Sequence, residues 1–137
     1  MSTNTISLPS HSRVPAVLRA AQVLLLLLGA VTTFGAIYFC FFVPADVLDR
    51  PDSVSDWLVG AWALTIGLSA LYLGARLTGP DTRIRRAARW LLAIHIVFGI
   101  VKLTVYSEQE ALTFVAVDAV VLGLLSTRAA RGYLLAK

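Results

Sequence analysis

Three ionisable side chains, His95, Lys102 and Asp118, lie inside long apolar segments of this chain. Charged groups are costly in such segments, and they commonly mark a functional site. His95, Gly99 and Lys102 are spaced four and three residues apart, so a helix carries them on one face. A carboxylate beside an imidazole fixes the tautomer of the ring and raises its basicity. That arrangement serves acid–base catalysis, proton relay or recognition of a polar headgroup.

His95 and Asp118 are expected at similar depths in a membrane. Counted inward from Tyr106 and Glu110 at about 1.5 Å per residue, they lie roughly 16 Å and 12 Å from the outer loop. These depths allow the two side chains to meet across adjacent helices in a polar ligand pocket, but the sequence does not tell whether they are in contact. A structural hydrogen bond that fixes the register of two helices explains the same pair, and both interpretations stay open. The predicted pocket is lined by Thr33, Trp62, Thr65, His95, Lys102 and Asp118.

No metal or other cofactor is expected. The only other histidine, His11, belongs to the polar N-terminal segment, and Cys40 is the single cysteine. Neither a zinc site nor a haem site has enough ligands, and an intrachain disulfide is excluded. The chain also has no phosphate-binding glycine loop and no nucleophile elbow. If the protein is an enzyme, His95 and Asp118 are its candidate catalytic pair.

The elements that position these residues are predicted to be membrane-spanning helices. Of 137 residues, 58% are apolar and 15% charged, and the mean hydropathy is +0.77. Four spans of about 20 residues use most of this length, which excludes a separate soluble domain of ordinary size. We predict an all-α integral membrane protein, a four-helix bundle in one domain over residues 15–131. Its spans are at about 15–43, 57–77, 87–106 and 110–128, between a disordered segment 1–14 and a tail 132–137.

The distribution of charge predicts the orientation. Ten of the twelve Lys and Arg residues fall on one side of the four spans, and six of the eight acidic residues fall in the two loops on the other side. Basic loops remain in the cytoplasm, so both termini are predicted to be cytoplasmic. The expected location is the cell membrane, specifically a bacterial inner membrane. The basic balance then needs no nucleic-acid partner.

Two further groups of residues have predicted roles at surfaces. Small residues at three- and four-residue spacing form one seam on the second span and another on the fourth, typical of close helix packing within the chain or between copies of it. The seams are represented by Gly60, Gly67, Gly74, Ala119 and Gly123. An arginine group before the third span is predicted to contact lipid headgroups. It consists of Arg83, Arg85, Arg86 and Arg89.

The layout resembles a known group of proteins. Four short spans, a glycine-rich second helix, a basic inner loop and the segment from Arg89 to His95 are similar to the DoxX-like group of small bacterial membrane proteins. The resemblance covers residues 16–130. Members of that group are mostly uncharacterised or accessory to redox complexes, so the resemblance implies little about function and transfers no catalytic residue. The layout is also similar to that of sterol-isomerase-like membrane proteins, whose pocket carboxylates are represented here only by Asp118.

Three functions are compatible with these observations. The first is an accessory subunit or a module that binds a lipophilic molecule, with a membrane-protein partner or a second copy. The second is a small membrane enzyme that transfers a proton on, isomerises or cyclises an apolar substrate. The third is an oligomeric pathway for protons or small solutes. The sequence names no substrate and leaves open whether the protein is an enzyme.

Overall fold

The computed structural model describes residues 14–42, 54–105 and 109–135. These residues form five helices and, within these ranges, no strand, so the all-helical prediction is confirmed there. The helices are α1 (Ala16–Phe41), α2 (Val54–Arg76), α3 (Thr82–Val105), α4 (Glu110–Ser126) and α5 (Arg128–Leu135).

Local sequence explains where the helices begin and end. α1 starts directly after Pro15, whose missing N–H is not needed at a helix start. α2 ends before Thr78-Gly79-Pro80, a segment of turns and bends. Asp81 then accepts a hydrogen bond from the Arg83 backbone N–H at 2.8 Å, as a helix-capping side chain does.

α1, α2 and α3 are long and apolar enough to cross a membrane. The qualifying stretches are Ala16–Phe41, Trp57–Arg76 and Thr82–Val105. α4 has 17 residues and is therefore about 26 Å long, slightly less than the roughly 30 Å of a bilayer core. The three longer helices support the prediction of a membrane protein.

The first four helices form an antiparallel ring. α1 packs most extensively on α2 and α3 on α4, and contacts of α1 with α4 and of α2 with α3 close the ring. The antiparallel register is visible between α1 and α2: the Gln22 side chain donates to the Gly74 carbonyl at 3.0 Å, while Gly29, farther along α1, lies against Gly67. This arrangement brings the starts of α1 and α3 together with the ends of α2 and α4.

We call that end of the ring the arginine end, because it carries Arg19, Arg76 and the arginine group of α3; the other is the opposite end. The hydrophobic core lies in the half of the ring nearer the arginine end. Its buried members come from the first halves of α1 and α3 and the second halves of α2 and α4. They are Leu18, Ala21, Leu25, Leu28, Ala70, Leu73, Leu77, Ala88, Leu92, Val121 and Leu125.

Small residues allow α1 and α2 to approach closely. A methyl group added at Gly67 would lie 2.8 Å from the Thr33 backbone nitrogen, and one at Gly29 would lie 2.9 Å from the Gly67 carbonyl oxygen. Gly74 faces Leu26, and Gly60 lies against the Cys40 sulfur. The three predicted seam glycines of α2 therefore all lie against α1, at a distance that larger residues prevent.

The predicted seam of α4 does not pack inside the chain. Ala119 and Gly123 are exposed, and a methyl group added at Gly123 meets nothing within 4 Å. The interpretation of these two residues as intramolecular packing is therefore wrong. Apart from Asp118, apolar residues lie on every side of the middle of α4, so its hydropathy does not specify which small residues face the bundle.

The C-terminal segment, predicted as a tail from residue 132, contains the helix α5. Thr127 separates α4 from α5 because its backbone is extended, with ψ 153°. Its hydroxyl donates to the Leu124 carbonyl at 2.9 Å and accepts a hydrogen bond from the Ala130 N–H at 3.4 Å. The threonine thus ends one helix and caps the next.

Candidate functional site: a histidine–aspartate pair between α3 and α4

His95 on α3 and Asp118 on α4 contact each other, with Nδ1 and Oδ2 2.7 Å apart. The Asp118 side chain is fully buried, and that of His95 is 13% exposed. Gly99, one turn along α3, allows this approach, because a methyl group there would collide with the Val115 side chain of α4. The two helices thus hold an ionisable pair between them.

The hydrogen-bonding capacity of this pair is only partly used. Nδ1 and Oδ2 are within hydrogen-bond distance, yet neither atom has a hydrogen bond of acceptable geometry. The second carboxylate oxygen, Oδ1, is buried and has no hydrogen-bond partner. A buried carboxylate with an unused acceptor is costly, and functional sites are where such costs are commonly found.

The surroundings of the pair are aromatic and aliphatic. The Phe114 ring meets the imidazole edge-on, with the ring centroids 6.3 Å apart. Phe114 lies four residues before Asp118, so both residues share one face of α4. The imidazole is therefore held between a carboxylate and an aromatic ring, and a small part of it stays exposed.

The other four residues of the predicted pocket do not join this pair in one site. Thr65 is exposed, and its hydroxyl donates to the Ala61 carbonyl of its own helix at 2.8 Å. Trp62 is 41% exposed. Trp62 and Lys102 both lie against Phe98, with Trp62–Phe98 ring centroids 6.1 Å apart and the Lys102 nitrogen 5.9 Å from the Phe98 ring.

Thr33 lies at the contact of α1 with α2. Its hydroxyl is buried against Gly67 and has no hydrogen-bond partner, and the hydroxyl of Thr32 is likewise buried without one. The contacts described for these four residues thus lie outside the His95–Asp118 contact, and the six-residue pocket stays a prediction. The structure does bring His95 and Asp118 together, which the sequence had left open.

The arginine group of α3 divides into side chains with different roles. Arg85 is 4% exposed, and it donates to the carbonyls of Leu77 and Gly79, each at 3.2 Å. The prediction that Arg85 contacts lipid headgroups is wrong, because the guanidinium turns inward to cap the end of α2. Arg83 and Arg86 are exposed, and their contact with lipid headgroups stays a prediction.

Arg89 has a role at a helix end that the sequence did not indicate. Its Nη2 donates to the Leu125 carbonyl at 2.7 Å and so caps the last turn of α4. The sequence analysis also did not identify Phe114 as a neighbour of His95. The four-residue spacing of Phe114 from Asp118 could have indicated it, because that spacing places both on one face of a helix. Within the described ranges, His, Cys, Asp and Glu side chains form no group of three or more that could hold a metal.

Comparison of the chain with protein-family models, curated proteins and solved structures finds no match. The resemblance to DoxX-like and sterol-isomerase-like proteins thus stays a prediction.

Proposed function

We propose that the chain is a four-span membrane protein with both termini in the cytoplasm, in a bacterial inner membrane. Three helices meet the length and hydropathy needed for spanning, and α4 completes the ring that they form. α4 contains Asp118, whose charge faces α3 rather than lipid. A bilayer accommodates a span that is a few ångströms short by local thinning. The arginine end then faces the cytoplasm.

Within that membrane, the proposed function is that of an accessory subunit or module that binds a lipophilic molecule. The observation that carries the proposal is the partly exposed His95 imidazole against the fully buried, incompletely bonded Asp118. A pair that served only to join α3 to α4 has no need of an unused carboxylate oxygen. An exposed edge on the imidazole is likewise unnecessary for that purpose.

The chemistry of the pair defines the ligand class. Asp118 next to Nδ1 favours the tautomer with the proton on that nitrogen, as carboxylates do for oriented histidines. Nε2 then presents a lone pair, which accepts a hydrogen bond from a hydroxyl or N–H group. The expected ligand is an apolar molecule that carries one such donor, positioned where the imidazole is exposed.

The test compares molecules that co-purify with the wild-type chain and with the double variant His95→Leu/Asp118→Leu. Removing both members of the pair leaves no unpaired buried charge, so the variant is expected to fold. Both proteins are purified from the same membranes, and their extracts are compared by mass spectrometry. We expect one lipophilic compound in near-equal molar amount with the wild type and at least tenfold less with the variant.

Thr65→Val is the matched control, because Thr65 lies in the same ring but faces outward. It should retain the compound at the wild-type level. Identical extracts from the wild type and the double variant would contradict the proposal and leave the pair a structural contact.

A membrane enzyme is the second candidate, and the same contact favours it. An imidazole oriented by a carboxylate is the usual form of a general base, with Asp118 as the positioning residue. Incubating the retained compound with the wild-type chain separates the two functions. An unchanged molecule indicates binding, whereas isomerisation or cyclisation that is lost in the double variant indicates catalysis.

The exposed small-residue face of α4 supports a partner as part of this proposal. Ala119 and Gly123 leave room for the close approach of another helix, either from a membrane-protein partner or from a second copy. The oligomeric pathway for protons or small solutes depends on such copies. Crosslinking in membranes distinguishes these assemblies, since only self-association gives a product of twice the chain mass.

A further inference from the structure

A second polar site lies at the arginine end, between α3 and α4. It is an open crevice of about 430 Å³, lined by Arg86, Arg89, Trp90, Ala93 and Leu122. This volume is within the range of small-molecule sites. The crevice shares no lining residue with the His95–Asp118 contact, so its role is independent of the function proposed above.

The crevice is basic at one end and apolar at the other. Arg86 and Arg89 lie one to two turns nearer the start of α3 than Ala93, and Leu122 adds a second apolar side chain from α4. No Asp or Glu side chain lines it. A charged rim above an apolar floor matches a molecule with an anionic head and a hydrocarbon tail.

Arg89 is fixed in a position that leaves donor capacity. Its Nη2 donates to the Leu125 carbonyl at 2.7 Å, which holds the guanidinium against α4. That bond uses one Nη hydrogen, and the other Nη hydrogens of Arg89 are left as donors. Arg86 is exposed beside it. Two guanidiniums with such donors suit the oxygens of a phosphate group.

Trp90 indicates the depth of the crevice in the membrane. This side chain is 66% exposed and belongs to the aromatic type found at the level of lipid headgroups. A molecule held by Arg86 and Arg89 next to Trp90 therefore has its anionic group at that level and its tail along Ala93 and Leu122.

We propose that this crevice binds the phosphate headgroup of an anionic membrane lipid. It is a defined site, in contrast to diffuse attraction between the basic surface and the bilayer. Arg86 and Arg89 hold the phosphate, and Ala93 and Leu122 contact the first part of the acyl chains. Free phosphate shares the headgroup chemistry but lacks the contacts to the apolar floor.

The test measures phosphatidylglycerol bound to the purified full chain in detergent by native mass spectrometry. Arg86→Gln removes one crevice cation, and Arg83→Gln removes an equal charge from an exposed residue of the same helix that does not line the crevice. Losing one such cation raises the Kd for the lipid about fivefold. We expect that rise for Arg86→Gln and less than about twofold for Arg83→Gln. Equal effects of both variants would overturn the proposal.

Two further arms separate the sources of binding. Ala93→Phe fills the apolar floor without changing charge, and we expect it to weaken phosphatidylglycerol binding at least as much as Arg86→Gln does. Inorganic phosphate in molar excess should not displace the lipid. Displacement by phosphate, with wild-type lipid affinity in Ala93→Phe, would show a simple anion site and contradict the lipid assignment. Circular dichroism confirms folding, and Arg86→Gln against Arg83→Gln remains decisive if Ala93→Phe does not fold.

Discussion

The two ends of the helical ring differ in the kind of polar group that they bury and in what that group binds. At the arginine end, Arg85 and Arg89 donate to backbone carbonyls at the ends of α2 and α4. Beyond the core, toward the opposite end, Asp118 and the hydroxyls of Thr32 and Thr33 are buried with unused capacity. At the arginine end each of these guanidiniums makes at least one bond that ties two helices together, although Arg89 Nε has no partner. At the other end, neither oxygen of the buried Asp118 carboxylate has a hydrogen bond. This difference is the physical reason for proposing ligand binding at His95 and Asp118.

The largest predicted effect comes from breaking the pair on one side only. His95→Leu leaves the Asp118 carboxylate buried without its partner, which costs about 3–5 kcal/mol. The double variant His95→Leu/Asp118→Leu should have a free energy of unfolding equal to or above that of the wild type, because no unpaired charge remains. Reversible unfolding in mixed micelles, followed by circular dichroism, measures both values. Equal stability of the single and the double variant would contradict this prediction, because it would show that Asp118 does not need His95 as a partner.

At the arginine end, a smaller loss is predicted for Arg85→Gln. The variant loses the charge-assisted bonds to the Leu77 and Gly79 carbonyls, with a cost of about 2–3 kcal/mol in the free energy of unfolding. Arg83→Gln is the matched control and should change it by less than about 0.5 kcal/mol. The same unfolding measurement applies. Equal small effects would mean that the end of α2 needs no cap from α3.

The third prediction compares the two small-residue seams. Gly67→Ala forces α1 and α2 apart at Thr33 and should cost about 1–3 kcal/mol. Gly123→Ala has open space and should be neutral or stabilising by up to about 1 kcal/mol, because alanine is the better helix former. Unfolding of each variant at low protein concentration isolates the effect within one chain. A loss at Gly123 as large as that at Gly67 would contradict the exposed position of the α4 seam.

Much of the fold was predictable from the order of apolar and polar segments. The four apolar runs and the turn at Thr78-Gly79-Pro80 indicated the main helices, and helix rise alone placed His95 and Asp118 at depths that allow contact. These inferences succeed because they depend on distance along the helix axis, which the residue count fixes.

The faces of the helices were less predictable. In a membrane protein, apolar residues face both the core and the lipid, so hydropathy does not separate them: Leu18 is fully buried and Val31 is 55% exposed. For the same reason, Thr65 was expected in the pocket and the α4 seam in contact with other helices of the chain, whereas both are exposed. For Arg85, positive charge indicated a lipid-facing residue, whereas the uncapped carbonyls of α2 made an inward position favourable.

The most direct test of the central claim is the protonation site of the His95 ring. The chain has two histidines, so His11→Gln with ¹⁵N-labelled histidine leaves the His95 nitrogens as the only imidazole signals. Long-range ¹H–¹⁵N NMR in micelles then reports which nitrogen carries a proton. We predict a proton on Nδ1 whose signal shifts in Asp118→Leu. A ring protonated on Nε2 alone, with shifts unaffected by Asp118→Leu, would contradict the pair and the function proposed from it.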